Sequence, residues 1–428
     1  MARILKRCGW IGALALVLLA LPATPTPAVA PAYLTIVAGR TFFQGADRSC
    51  AAYPGSVDLL EVARRLHERA TPIAVYGELQ GSFIQSSSRF CPARNGYHDI
   101  YPTWADLAQL RDTYGWSFGS NGRDLNYMTR GNRTPAQLWN TSCGALRDLR
   151  AHGHTRGWSL FAYPGGGDPD DVSDAVQRDY VSKCFAFGRK YDNTTPFERN
   201  QQGDEGSKVA NPLGWQWTHN IYGGSCNLPH DPCASQTVSP PWQYDDPADL
   251  ATLLAPSAGE WSTLQFHVFV EGQRLTGPDD HWDCTSSDWR AHWSTRPELY
   301  CWTDFVAALD SIPSGVTIAD PATVASAWGW TLPAPRATKA TPASGTAGTQ
   351  VVLAARDVRA VGTPSNAFIN GNGLTVKFGS TAATLVSANP SSVTVKVPHL
   401  ASGGAVPITI VNADGTSGKT TGLFTYKP

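Results

Sequence analysis

Between residues 31 and about 330, short apolar runs alternate with segments whose apolar positions recur every three or four residues. Residues 32–37 read as a strand, and residues 57–69 as a helix with Leu59, Leu60, Ala63 and Leu66 on one face. Residues 72–76 read as the next strand. Thr103 followed by Asp106 has the form of a capping box, so a helix starts there, buries Leu107 and Leu110, and stops at Gly115. A third strand follows at 116–118. Thr134 before Pro135 starts another helix, which Gly153 ends. Strands are expected at 158–163 and 185–188 around a helix at 171–183. The pattern then breaks into loop-rich insertions at 189–259 and 271–300. Between and after them come a strand at 263–270, a helix at 302–309, a strand at 316–318 and a helix at 321–328. Strands separated by helices predict parallel pairing, hence an α/β domain. Seven or eight such steps predict a (β/α) barrel of seven or eight strands, with a doubly wound sheet as the alternative.

The pattern changes near residue 332. Residues 332–341 read as a Pro/Ala/Thr linker, and residues 342–428 contain neither Trp nor Cys. Short β-branched runs at 349–353, 374–378, 383–387, 392–397, 406–411 and 423–426, separated by Gly, Asn and Pro, predict a small all-β sandwich.

Composition adds the compartment. The chain has 428 residues, 42% of them hydrophobic and 16% charged, which suits two domains with cores of their own. Its start carries Arg3, Lys6 and Arg7, an apolar run at 11–21 too short for an ordinary membrane helix, and Ala28-Val29-Ala30. These predict a secretory signal peptide over 1–30, cleaved after Ala30, and no transmembrane segment in the mature chain. Removing it takes three of 34 basic residues and none of the 35 acidic ones. The mature chain is therefore slightly acidic, and nucleic acid is excluded as a partner class. Eight cysteines remain: Cys50, Cys91, Cys143, Cys184, Cys226, Cys233, Cys284 and Cys301. In an exported chain an even set predicts disulfides, and pairing in consecutive order is the simplest arrangement.

In a parallel α/β domain the working residues lie where strands end. Those ends carry Gly39-Arg40, Glu78, Ser120-Asn121 with Asp124, the segment 163–167, Trp217-Thr218-His219, and His267. Asp168 and Glu271 lie near such ends too. A carboxylate pair facing across the mouth would serve a glycosidase, and the plainer reading makes them solvated loop acids and a helix cap. Trp215, Trp217, Trp242, Trp261, Trp282, Trp289, Trp293 and Trp302 crowd the insertions. Flat aromatic faces suit sugar rings, and Trp215, Trp217, Trp242 and Trp282 are the candidate glycan-binding residues. The alternative is that the insertions use Trp and disulfides as a small core of their own.

Residues 34–40, Leu-Thr-Ile-Val-Ala-Gly-Arg, align without gaps on the L-T-F-D-D-G-P motif of the polysaccharide deacetylase family, carbohydrate esterase family four. Residues 119–125 lie where that family has G-N-H-T-x-x-H, residues 161–166 resemble its R-x-P-Y-G segment, and residues 264–267 resemble the strand carrying its catalytic histidine. The resemblance implies a metal-dependent hydrolase of acetylated polysaccharide, acting on non-peptide carbon–nitrogen bonds, with a divalent metal held by Asp and two His. Here the base position is Val37, the ligand positions are Ala38, Asn121 and Leu125, and the orienting arginine is Ala162. Only His267 matches the family's reacting groups. Without those lone pairs nothing offsets dehydration of a hard cation, so no cofactor is expected at that position and zinc or another divalent metal only in a rearranged site.

The segment 342–428 resembles an IPT/TIG immunoglobulin-like domain, on Pro342-Ala343-Ser344-Gly345 with Gly348-Thr349, on 376–379 and on 424–426. The resemblance implies a spacer or adhesion module at the cell surface, with a surface protein as a partner. The expectation is a secreted or surface deacetylase-like protein over 31–331 that binds polysaccharide without the family's chemistry. The alternatives are a hydrolase using Glu78, Asp124 or His267 in a rearranged site, and a purely structural surface protein.

Overall fold

The computed structural model describes residues 31–47, 49–92, 99–123, 134–154, 160–163, 181, 185, 187–189, 200–201, 219–220, 251, 254–274, 282–285, 299–328, 334–358, 373–389, 391–412 and 416–428. The expected signal peptide, the expected 171–183 helix apart from Val181, and most of both insertions lie outside the described residues. Among those described, no helix is long and apolar enough to cross a membrane.

In chain order the strands before residue 330 are β1 (Ala32–Ala38), β2 (Ser56–Val57), β3 (Tyr76–Leu79), β4 (Ser117–Ser120), β5 (Leu160–Ala162), β6 (Phe187–Arg189), β7 (Asn200–Gln201), β8 (His219–Asn220), β9 (Glu260–Phe266), β10 (Val268–Val270), β11 (Gln273–Arg274), β12 (Trp282–Asp283), β13 (Leu299–Cys301) and β14 (Val316–Ile318). The main sheet runs β6-β5-β4-β3-β1-β9, all parallel. β8 continues it in parallel beside the end of β9, and β7 pairs antiparallel with its start. Stepping from β1 through β6 in one direction is the winding a barrel requires. Among the described residues no pairing joins β6 to β8, so the expected closure reduces to a mixed α/β sheet.

Every residue of β1 is buried, the mark of a central strand covered on both faces. Leu34, Ile36 and Ala38 join the main core with Leu79, Phe118, Phe161, Leu264 and Phe266. Val37 packs on the other face with Tyr76 and Leu160.

The helices follow local chemistry. Asp58 accepts from the Glu61 N–H and starts α1 (Leu59–His67), which buries Leu59, Val62, Ala63 and Leu66. Val62 thus takes the inward place expected for Leu60, because 3.6 residues per turn carries the apolar stripe past it. Thr103 and Asp106 form the expected capping box of α2 (Trp104–Tyr114), and Gly115 ends it at φ 73°. Thr134 and Gln137 make a second capping box ahead of α3 (Pro135–Trp139), which continues through a π turn at Asn140–Gly144 into α4 (Ala145–Ala151).

Two strands differ from expectation. The one expected at 72–76 forms at Tyr76–Leu79, which draws Glu78 into the sheet with no exposed surface. The one expected at 263–270 divides at His267: β9 stays in the main sheet, while β10 pairs with β13 and β2.

Cys50–Cys91 and Cys284–Cys301 are bonded, with Cα–Cα distances of 5.9 and 5.6 Å, in the consecutive order expected. Cys143 is disulfide-bonded too, and Cys184, Cys226 and Cys233 lie outside the described residues.

The C-terminal region is all-β, with a four-stranded and a five-stranded sheet around one core that includes Val351, Leu353, Phe378, Ile408, Ile410 and Phe424. Arg336–Thr341, read as linker, is its first strand, paired with Gln350–Arg356. Its inward residues are only Ala337 and Ala340, too small to mark a strand by hydrophobicity.

Candidate functional site

β1 leaves the sheet through a strained turn. The Gly39 N–H donates to the Phe266 carbonyl at 2.8 Å, and the chain then places two non-glycine residues in the left-handed region, Arg40 at φ 54° and Thr41 at φ 49°. A β-branched residue there is rare, and such strain persists only where surrounding bonds hold it. Thr41 Oγ1 supplies one, donating to the Glu78 carbonyl at 2.9 Å.

Gly39 is needed for space. A Cβ there would lie 2.0 Å from Gln265 Nε2 and 2.7 Å from His267 Nε2. Gln265 and His267 are both buried, and their Nε2 atoms are 2.8 Å apart. Because an amide nitrogen donates, the imidazole Nε2 accepts and its proton sits on Nδ1.

A neutral network spans the neighbouring strand ends. Tyr101 Oη donates to Gln80 Oε1 at 2.7 Å, Gln80 Nε2 donates to Asn121 Oδ1 at 3.1 Å, and Asn121 Nδ2 donates to the Ala162 carbonyl at 3.4 Å. Aromatic rings join it to the histidine. Tyr101 meets Phe42 edge-on at 5.1 Å between centroids, and Phe42 meets His267 at 5.7 Å.

The end of the sheet therefore brings Asn121, the Ala162 carbonyl and His267 into one connected set. Val37 points away into the cluster with Tyr76 and Leu160. Asp124, Leu125, Asp168, Trp215, Trp217 and Trp242 lie outside the described residues. A divalent metal held by Asp and two His does not fit what is present. Ala38 offers a methyl group, and both ends of the Asn121 amide are already bonded. Among the described residues no group of three or more His, Cys, Asp or Glu is arranged to hold an ion.

Other candidates are corrected. Trp282, expected over a cleft as a glycan-binding face, is fully buried; its ring packs on Tyr53 at 5.5 Å and its Nε1 donates to the Glu271 carbonyl at 3.3 Å. It belongs to the main core with Tyr53, Val57 and Phe269, so the described part of the second insertion packs into that core and does not form one of its own. Glu78 is buried in a strand rather than solvated on a loop. The Glu271 carboxylate is gripped by the Arg65 guanidinium, which ties it to α1. His154, just past the end of a helix, is 1% exposed, packed against Phe118 and Trp104.

Gln80, Tyr101, Gln265 and Phe42 were not singled out from sequence. Two of them carried a signal: Gln265 and His267 are two residues apart where a strand runs out, and so are Glu78 and Gln80.

Residues 335–426 match the IPT/TIG domain, the family expected for the C-terminal segment. No curated protein matches the chain. Among solved structures, an auxiliary nutrient binding protein from Bacteroides ovatus is 23% identical over 22% of this chain and 21% of its own, at TM-score 0.18. The chain thus spans about a fifth of that protein's length. A gamma-CGTase from an alkalophilic Bacillus clarkii is 10% identical over 93% of this chain and 84% of its own, at TM-score 0.28. A modular endo-beta-1,4-mannanase from Cellulomonas fimi is 13% identical over 92% of this chain and 94% of its own, also at TM-score 0.28. At these TM-scores none of the three fixes the fold of the first region.

Proposed function

We propose that residues 31–331 are a polysaccharide-deacetylase-like barrel domain of an exported protein that binds polysaccharide without the family's metal-dependent deacetylation. The observation that carries this reading is the Tyr101–Gln80–Asn121–Ala162 network. Where the resemblance requires a metal-binding imidazole there is an amide with both ends bonded, in a row of neutral donors and acceptors. Amides, a phenol and aromatic rings are the groups that recognise sugar hydroxyls and sugar faces. The IPT/TIG domain at 335–426 and disulfides in the order of an oxidised chain support an extracellular or cell-surface setting, with that domain as spacer or contact to a surface protein.

Two measurements on the purified chain test the reading. Zinc content and acetate release from acetylated chitooligosaccharides are expected to be nil, with binding on a glycan array. Stoichiometric zinc with turnover would overturn it.

The second reading is a purely structural surface protein, favoured by the burial of Trp282. Absence of both turnover and glycan binding would select it.

A further inference from the structure

Segment 81–90 leaves a hydrophobic ring in solvent. Phe90 is 37% exposed, and among the described residues before 334 no other large hydrophobic side chain is classed as exposed. It is not a loose tip. The Phe90 N–H donates to the Tyr101 carbonyl at 3.3 Å, the Tyr101 N–H donates back at 2.7 Å, and the next residue is bonded to Cys50. Phe83, half-buried, lies parallel to Phe90 within 9° at 5.9 Å between centroids. Behind Phe83 stands Tyr101 at 4.9 Å, and from Tyr101 the rings continue through Phe42 to His267. A continuous aromatic ladder thus leads from the surface to the site at the end of the sheet.

The surroundings of the outer pair suit a neutral ligand. Ser82, Ser86, Ser87 and Ser88 are exposed on the same segment. The one charge on the segment, Arg89, is taken up by Asp106 at 3.1 and 3.2 Å, and its guanidinium lies over the Phe43 ring. A flat apolar face on a segment with exposed hydroxyls, with its one cation already paired, matches a sugar ring, which offers C–H bonds on its face and hydroxyls at its rim. A phosphate-bearing ligand would need cations to spare.

We infer that Phe90 and Phe83 form an aromatic subsite for a neutral hexose or N-acetylhexosamine unit of a polysaccharide, at the outer end of the ladder that reaches His267. The inference rests on the glycan-binding reading above and specifies where the sugar chain rests.

Calorimetric titration with hexasaccharides of N-acetylglucosamine and of glucose tests it, on the unmodified chain, Phe90→Ala and Phe90→Trp, with melting measured alongside. The expected result is roughly tenfold weaker binding in Phe90→Ala, retained binding in Phe90→Trp, and an unchanged melting temperature. Equal binding by all three overturns the subsite and leaves the glycan reading standing. A parallel fall of binding and melting temperature in Phe90→Ala also overturns it, since the ring would then act on folding. No binding by the unmodified chain, to these probes or on a glycan array, overturns both.

Discussion

The side-chain amide of Gln265 donates to His267 Nε2 at 2.8 Å, and the pair closes over Gly39. Nε2 of the imidazole is thereby occupied, and the contact depends on a residue without a Cβ. Gly39→Ala is expected to push both side chains aside and to cost roughly 1–3 kcal/mol, as overpacking of a buried site does. Urea unfolding measures the cost. A shift of the His267 ring signals in NMR reports the lost hydrogen bond, and unchanged signals would contradict the geometry.

Asn121→Ala removes the acceptor for Gln80 and the donor to the Ala162 carbonyl, leaving buried polar groups unpaired. The expected loss is about 1–3 kcal/mol. Tyr101→Phe deletes one hydrogen bond to Gln80 and keeps the ring, so about 1 kcal/mol is expected. Chemical denaturation of both variants tests whether the network is made as described.

Ala38→Asp places an acid at the position that the proposed deacetylase resemblance assigns to a metal ligand, but Ala38 is 1% exposed and belongs to the main apolar core. An unpaired carboxylate there is expected to cost roughly 3 kcal/mol or more. Added zinc is expected to leave the melting temperature of this variant unchanged. A zinc-dependent rise would reveal ligands supplied from elsewhere.

His154 has a pH consequence. Its pKa is lowered from 6.5 to about 4, chiefly by burial and then by the charges of Arg111 and His152, with Asp112 opposing them. Neither ring nitrogen has a hydrogen-bond partner among the described residues. The unfolded chain takes the proton first as the pH falls below about 6.5. Stability is therefore full above that pH and declines toward about 4, by no more than about 3 kcal/mol. His154→Phe should flatten that slope. Unfolding midpoints from pH 7 to pH 4 on both proteins provide the check.

The Cys284–Cys301 bond closes a short loop beside buried Trp282. Replacing both cysteines with serine is expected to cost about 3 kcal/mol. The same loss should appear in the unmodified chain on reduction, in addition to whatever the other bonds contribute, and comparison of the two separates them.

Features built from near neighbours were legible in the sequence. The Thr103–Asp106 capping box, the Gly115 stop and the Thr134–Pro135 start depend on three or four consecutive residues, and they form as read. The strands of the IPT/TIG region were legible where alternation buries Val, Leu and Ile, and were missed at Arg336–Thr341, where it buries only alanine. The hydrogen-bonded arrangement at the end of the sheet was hidden from the sequence. Gln80 and Asn121 stand 41 residues apart, and nothing local to either announces the bond between them.

By itself, then, the chain's order of residues determined where helices start and stop, and which part is α/β and which is all-β. Tertiary structure alone decided that Glu78 and Trp282 are buried, that Arg65 claims Glu271, that Gln265 occupies His267, and that Phe90 stays in solvent at the end of an aromatic ladder. The physical reason is one of range. Caps and apolar periodicity are settled by backbone geometry within a few residues, whereas burial and the partner of a polar group depend on which distant segments the sheet brings alongside.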